Sequence, residues 1–283
     1  MNLTAKENIV SVYKKNFLKP KKGMGQNFLV NKEVLEKIIK TANLSKNDII
    51  LEIGPGTGIL TFELAKRVKK VIAVEKDPNL VNILNKELEI RKIKNVKVVQ
   101  GDILKIQNSK LKIQNSYKIV ANLPYYITSP TIRKFLELSD VEPPKVMILM
   151  VQKEVGQRIV ARPKKMNLLA ISVQFYAKPE IVSYVSKKSF WPQPKVDSAI
   201  IKITPHRFRF SNSSKFREQF FKIVRAGFSR PRKQILNNLS KGLKLNKELV
   251  SSWLRKNKIL TTQRAETLSI KNWIKLTKTF PKF

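Results

Sequence analysis

Short apolar runs recur along the first two thirds of the chain, and between most of them the apolar residues return at helical spacing. Ile49–Ile53, Val71–Glu75, Val96–Gln100, Tyr117–Ala121 and Val146–Val151 are such runs, which predicts buried strands. Helices fit between them. Asn31 can cap a helix running to about Ala42, with Val34, Leu35, Ile38 and Ile39 on one face. Ile59–Arg67, Pro78–Arg91 behind an Asp77 cap, and Pro130–Leu138 behind a Ser129 cap follow. Strand alternating with helix predicts an α/β fold with a mostly parallel, doubly wound sheet. Glu180–Val185 and Val196–Ile203 have no strong helix between them and predict a closing antiparallel hairpin, giving seven strands. After Pro205 the strand pattern stops, and Phe216–Phe228, Arg232–Leu239, Lys247–Lys256 and Ile270–Thr277 read as helices. The expected division is therefore 1–204, α/β, and 205–283, a small all-helical domain. Residues 11–25 read as a basic, Gly-containing lead-in. Lys105–Ser109 (KIQNS) recurs at Lys112–Ser116, a tandem duplication in a polar stretch of the kind surface loops tolerate.

Charge adds a partner. The chain carries 57 Lys+Arg and 20 Asp+Glu, a net charge of +37. Residues 1–204 hold 37 basic and 17 acidic residues (37 − 17 = +20), and 205–283 hold 20 and 3 (20 − 3 = +17), so the shorter segment is the denser. A surplus of this kind gathers phosphates and releases counterions on binding. That favours nucleic acid over a merely solvated lysine-rich surface, or over an anionic membrane, for which no long basic amphipathic helix stands out. A hydrophobic fraction of 42% is too high for a disordered chain. With no cysteine there is no thiolate nucleophile, disulfide or Cys-based metal site, and the single His206 excludes a multi-histidine one. No metal is expected. The longest apolar stretches fall far short of the roughly 18 residues of a membrane span, and the N-terminus has no secretory pattern. A cytoplasmic protein without membrane contact is expected.

The first strand ends in Glu52-Ile53-Gly54-Pro55-Gly56-Thr57-Gly58. Glycines there let the backbone turn tightly and a ligand approach closely. The dinucleotide fingerprint fails because Ile59 stands at its third glycine, and the Lys-Ser/Thr of a phosphate-binding loop is absent. The spacing instead resembles the loop of class I S-adenosylmethionine methyltransferases. Glu75, ending the second strand, is placed to accept ribose hydroxyls, and Asp102, after the third, to receive an adenine amino group. Either acid alone reads as a solvated strand end; three elements at three successive strand ends do not.

The fourth strand runs into Asn122-Leu123-Pro124-Tyr125. A nucleobase amino group is a poor nucleophile because its lone pair is delocalised into the ring. An amide oxygen and a backbone carbonyl, both accepting its N–H hydrogens, favour a tetrahedral nitrogen aimed at a sulfonium methyl, and no ionisable base is required. Tyr125 can stack on a flipped-out base. Phe190, in the rigid segment Phe190-Trp191-Pro192-Gln193-Pro194-Lys195-Val196-Asp197-Ser198, is placed to cover the other face. A single aromatic is more commonly a core residue, but the turn beside Tyr125 favours the functional reading.

Together the motifs resemble the ribosomal small-subunit RNA adenine dimethyltransferase family. Gly25-Gln26-Asn27-Phe28-Leu29, EIGPGTG, VVQGD, NLPYYITSP, Val151-Gln152-Lys153-Glu154-Val155, FWPQPKVDS and Arg264-Ala265-Glu266 run in family order over nearly the whole chain. The resemblance implies a Rossmann-like class I methyltransferase with a C-terminal helical domain, and S-adenosylmethionine as cofactor. It implies that Asn27 and Leu29 hold the cofactor beside Gly54, Gly56, Glu75, Asp102 and Asn122. Asn122, Leu123, Pro124 and Tyr125 then form the adenine pocket with Phe190 opposite, and Arg230, Arg232 and Lys233 contact RNA. The implied reaction is dimethylation of N6 in two adjacent adenines of the 3′-terminal hairpin of small-subunit rRNA, by a monomer acting on a pre-assembled subunit. Met166 and Ala170 stand where the family usually has Tyr and Ser, and Pro231 replaces one of two adjacent arginines. Two alternatives are a large-subunit rRNA methyltransferase of the erythromycin-resistance type and a ribosome-assembly factor with little catalysis. NLPYYITSP and Arg264-Ala265-Glu266 lean toward the small-subunit enzymes, and the complete cofactor loop toward catalysis. A DNA adenine methyltransferase usually carries an acidic D-P-P-Y turn instead.

Overall fold

The apolar runs pair into one seven-stranded sheet in a computed structural model that describes residues 6–107, 111, 113, 116–137, 143–206 and 213–281. Its strands are β2 (Ile49–Ile53), β3 (Lys70–Glu75), β4 (Val96–Gln100), β5 (Lys118–Asn122), β6 (Met147–Gln152), β7 (Ala177–Val185) and β9 (Ser198–Pro205). The order is β4-β3-β2-β5-β6-β9-β7. The pairs among β4, β3, β2, β5 and β6 are parallel, and β9 runs antiparallel to β6, from Met147 opposite Ile203 to Gln152 opposite Ser198. Central strands are buried along their length, whereas the edge strands β4 and β7 keep partly exposed residues. That is the burial expected of a parallel sheet covered by helices. Chain order reverses between β2 and β5, and ligands of such sheets bind at that switch, beyond the strands' carboxyl ends.

Helix α2 (Lys32–Ala42) leads into β2, and α3 (Ile59–Ala65), α4 (Pro78–Ile90) and α5 (Thr128–Glu137) each join two of the parallel strands. The Asn31 side chain accepts the Val34 amide (3.1 Å) and Asp77 accepts that of Asn79 (3.2 Å), so both expected caps form. The Ser129 cap does not: α5 starts at Thr128, running straight on from a 3₁₀ turn over Tyr125–Ile127. Several elements were not expected, two of them beside the lead-in. Helix α1 (Lys6–Lys15) starts ahead of the lead-in, takes in its first residues, and buries Ile9, Val12 and Tyr13. A second, two-stranded sheet pairs β1 (Phe28–Leu29) with β8 (Phe190–Trp191), setting Phe28 opposite Trp191 and Leu29 opposite Phe190. Tyr13, Phe28 and Trp191 pack there with ring centroids 5.3–6.4 Å apart, Phe28 stacked on Trp191 and Tyr13 edge-on to it, which fastens the lead-in to the main core.

The chain forms two compact units, Met1–Gly156 with Lys178–Pro205, and Gln157–Ala177 with His206–Phe283. The boundary near Pro205 recurs, but a single cut at 204 would separate Gln157–Ala177 from the unit it belongs to. That segment contains α7 (Leu168–Tyr176), which follows α6 (Lys153–Ile159), and shares a unit with the C-terminal helices α8 (Ser214–Gly227), α9 (Ile235–Leu243), α10 (Lys247–Lys256) and α11 (Ile270–Lys278). Phe175 of α7 stacks on Phe220 of α8 at 4.2 Å, both rings buried. The second helix after Pro205 starts at Ile235, later than the expected Arg232, because Ser229–Lys233 form the α8–α9 turn. Part of each KIQNS copy lies outside the described residues. Among the described residues no helix is long and apolar enough to cross a membrane.

That turn hangs on Asn238. Its buried amide donates to the Gly227 carbonyl (2.7 Å) and the Arg230 carbonyl (3.0 Å). Asn238→Ala strands the Gly227 carbonyl and leaves the Arg230 carbonyl only the Lys233 amide (3.0 Å), and a lost buried partner costs about 1–3 kcal/mol. Urea unfolding of this variant is expected to show a loss in that range; an unchanged midpoint contradicts the anchoring role.

A cleft at the switch point of the sheet

The cleft at the carboxyl ends of β2, β3, β4 and β5 is built from four loops. After β2, Gly54, Gly56 and Gly58 all adopt positive φ, at 68°, 60° and 89°. Space also demands glycine at two of them. A Cβ on Gly56 would stand 2.9 Å from the Phe28 ring, and one on Gly58 2.6 Å from Leu84. The turn therefore keeps its backbone open to close approach by a ligand.

Glu75 ends β3 and is buried. Its Oε1 accepts the Lys76 and Asp77 amides (2.8 and 2.9 Å), and Oε2 accepts the Gly56 amide (3.2 Å). Oε1 is thus filled, and Oε2 keeps a lone pair for a ligand hydroxyl. Burial pushes the Glu75 carboxyl upward, the three amides work against it, and the Asp77 charge adds to the rise. Asp102, after β4, accepts the Leu104 amide on Oδ1 (3.0 Å) and pairs with Lys76 through Oδ2 (3.0 Å). Partial burial raises its pKa, but the Leu104 amide and Lys76 outweigh it and hold Asp102 below the usual range.

Asn122, at the end of β5, donates through Nδ2 to the Asn27 backbone carbonyl (3.1 Å). That bond orients the carboxamide, and among the described residues Oδ1 has no hydrogen-bond donor. The next residues turn at once. The Pro124 carbonyl accepts the Ile127 amide (3.1 Å) in the 3₁₀ turn, and among the described residues the Leu123 carbonyl has no backbone donor. The Tyr125 hydroxyl lies 2.7 Å from Ser198 Oγ, at the start of β9, so the ring is held at both ends.

The cleft is lined by Asn27, Leu29, Gly54, Gly56, Glu75, Asp102, Asn122, Leu123, Pro124 and Tyr125, all singled out in the sequence. Phe190 is not among them. The β1–β8 pairing draws its ring into the core beside Leu29, where it is 4% exposed. Arg230, Arg232 and Lys233 lie in the second unit, exposed on the α8–α9 turn. Met166 and Ala170 are buried in that unit as well, and neither lines the cleft.

Sequence reasoning missed Glu52 and Thr57. Both line the cleft, both are buried, and Glu52 Oε2 and Thr57 Oγ1 have no hydrogen-bond partner among the described residues. Their place in the Gly-rich segment was visible, but burial was not.

The sheet order and the glycine turn are those of the Rossmann-like methyltransferases. A dimethyladenosine transferase from Plasmodium falciparum superposes with a TM-score of 0.73 at 30% identity, over 88% of this chain and 95% of that one. The 23S rRNA methyltransferase ErmE gives 0.72 at 25%, over 89% and 98%. The profile of ribosomal RNA adenine dimethylases matches residues 17–282, and the chain belongs to that family. A ribosomal RNA small subunit methyltransferase A of Dehalococcoides mccartyi is 45% identical over 261 residues, 92% of this chain and 88% of its own. One of Clostridium botulinum is 41% identical over 277 residues, 95% and 96%.

Glu52 yields a test by pH. Burial, reinforced by the Glu75 charge, pushes its carboxyl up to about 8. A carboxyl whose folded pKa lies above its unfolded one contributes stability that is complete below the unfolded value, near ~4, and lost as pH rises through the folded one. The protein is therefore expected to weaken between about pH 5 and about pH 8, and Glu52→Gln to flatten that slope. Urea unfolding on the acid side, within and above that window decides; identical pH slopes in both proteins refute the buried, neutral carboxyl.

Proposed function

We propose that this chain transfers two methyl groups from S-adenosylmethionine to N6 of adenines in small-subunit rRNA. The observation that carries the reading is the fixed Asn122 carboxamide, whose oxygen has no donor among the described residues, beside a Leu123 carbonyl with no backbone donor among them.

The donor set suits the cofactor. Three carboxyl groups, Glu52, Glu75 and Asp102, surround a cleft whose orphaned Glu52 and Thr57 oxygens call for a ligand rich in N–H and O–H groups. S-adenosylmethionine, a cation with an amino acid end, a ribose and an adenine, is such a ligand. Glu75 Oε2 would take a ribose hydroxyl, Asp102 the adenine amino group, and the glycine turn, Asn27 and Leu29 the methionine end. When bound, the cofactor supplies an electrophilic methyl group.

The chain's own residues then prepare the nucleophile. Asn122 Oδ1 and the Leu123 carbonyl accept the two N6–H hydrogens, which draws the lone pair out of the ring. Tyr125 stacks on the base, a contact worth roughly 1–3 kcal/mol. Each transfer would form one N–C bond as the S–C bond to that methyl breaks, leaving the cofactor as a neutral thioether, and the N–H proton goes to water. After the first, one hydrogen remains and only one acceptor holds it. Both acceptors are neutral, so no ion pair retains the monomethyl product. Phe190 supports the cleft from the core through its pairing with Leu29. Arg230, Arg232 and Lys233 supply phosphate contacts on RNA. A monomer working in the cytoplasm on a pre-assembled small subunit completes the proposal.

Mass spectrometry of nucleosides from fully reacted particles tests it. Dimethyladenosine in small-subunit RNA, and none in large-subunit RNA, is expected. Monomethyladenosine as the sole end product overturns dimethylation, and product confined to large-subunit RNA favours the ErmE-like alternative. Asn122→Ala should lower the single-turnover rate far more than it weakens RNA binding; equal losses make Asn122 a docking contact.

A further inference from the structure

The Asn27 carbonyl that orients Asn122 lies just beyond the lead-in, and the end of the lead-in is itself held in one place. Asp77, 2% exposed, sits two residues beyond Glu75. Its Oδ2 accepts Gln26 Nε2 (2.9 Å) and pairs with Lys21 Nζ (3.0 Å), while Oδ1 accepts Lys21 Nζ (3.0 Å) and the Asn79 amide (3.2 Å). Gln26 Oε1 in turn accepts the Lys21 amide (2.7 Å), closing residues 21–26 into a loop stapled by one side chain. Both ends of the Gln26 carboxamide are thereby directed, and the residue that follows it is Asn27. Gly25 on its other side has φ +62°, and a Cβ added there would come within 3.5 Å of Tyr126 and 3.6 Å of Pro124. The staple therefore sets the height of the lead-in over the target pocket.

We propose that Gln26, clamped by Asp77 and Lys21, is a positioning residue for methyl transfer: it fixes the Asn27 carbonyl and through it the face that Asn122 presents. The inference rests on the adenine-methylating reading above. Lys21 is the lesser part of the clamp, since its side chain is 43% exposed and such ion pairs are weakened by solvent. Gln26 is the greater part, because it spans between a buried carboxylate and the Lys21 backbone.

The test uses the full chain. Gln26→Glu sets a carboxylate against Asp77 and should lower the single-turnover methylation rate at saturating cofactor and RNA by about tenfold or more. The fall in affinity for S-adenosylmethionine, measured by calorimetry, should be less than about threefold. Adding Asp77→Asn to that variant lets an amide donate to the introduced carboxylate and should restore the rate to within about threefold of the parent. Lys21→Met, a milder change at a part-exposed position, should cost roughly twofold to fivefold in rate, and it decides the matter if Gln26→Glu fails to fold. A rate unchanged in Gln26→Glu or in Lys21→Met overturns the inference. So does a loss of cofactor affinity as large as the loss of rate, which makes the staple a cofactor contact. So does failure of Asp77→Asn to rescue a folded Gln26→Glu protein. Asn122→Ala separates the two levels: if it leaves the rate intact, the reading of the whole site fails. If it abolishes the rate and Gln26→Glu does not reduce it, only the staple is wrong.

Discussion

The hydrogen bond from Asn122 Nδ2 to the Asn27 carbonyl joins residues 95 apart in the chain and gives a neutral amide a direction. A carboxamide is ambiguous by itself, with a donor and an acceptor of nearly equal size. Only when its NH₂ is committed elsewhere does its oxygen become a dedicated acceptor for an amino group. Catalysis without an ionisable base depends on that commitment, and the protein, with one histidine and no cysteine, has few other means of moving a proton. The surrounding structure follows from the same constraint. β5 must end where it does to present Asn122, the lead-in must lie across the strand ends, and the β1–β8 pair with its Tyr13, Phe28 and Trp191 rings fastens that lead-in to the core.

Electrostatics divides the molecule's labour. The cleft concentrates carboxyl groups of a strongly basic chain, and it keeps Glu75 and Asp102 in place with backbone amides and one lysine. A cationic ligand is favoured there. The C-terminal segment carries the densest positive charge, and the turn anchored by Asn238 displays three basic residues to solvent. Phosphate is favoured there. One chain thus offers two opposite fields, each on its own unit.

The sheet was legible because five apolar runs alternate with capped helices, and Asn31 and Asp77 act as the caps their positions announce. Cleft residues at strand ends were legible for the same reason: position in the alternation implies position in space. Helix α1 was hidden because its buried face, Ile9, Val12 and Tyr13, is short and embedded in lysines. Helix α7 was hidden for the reverse reason: LLAISVQFY is apolar nearly all round, and periodicity cannot separate that from a strand. Strands of two residues, β1 and β8, carry no period at all, so the burial of Phe190 could not be foreseen. The links from Gln26 to Asp77 and from Tyr125 to Ser198 cross 51 and 73 residues, and side-chain hydrogen bonds of that reach leave no local signal.

The central claim is that Asn122 meets the target amino group with its oxygen. A crystal structure of the chain with the demethylated cofactor and an adenine-containing small-subunit RNA hairpin examines it directly. The account predicts N6 within hydrogen-bond distance of both Asn122 Oδ1 and the Leu123 carbonyl, with Nδ2 still on the Asn27 carbonyl and the base stacked on Tyr125. An amide turned round, with Nδ2 toward the base, or a base bound outside the cleft would contradict it.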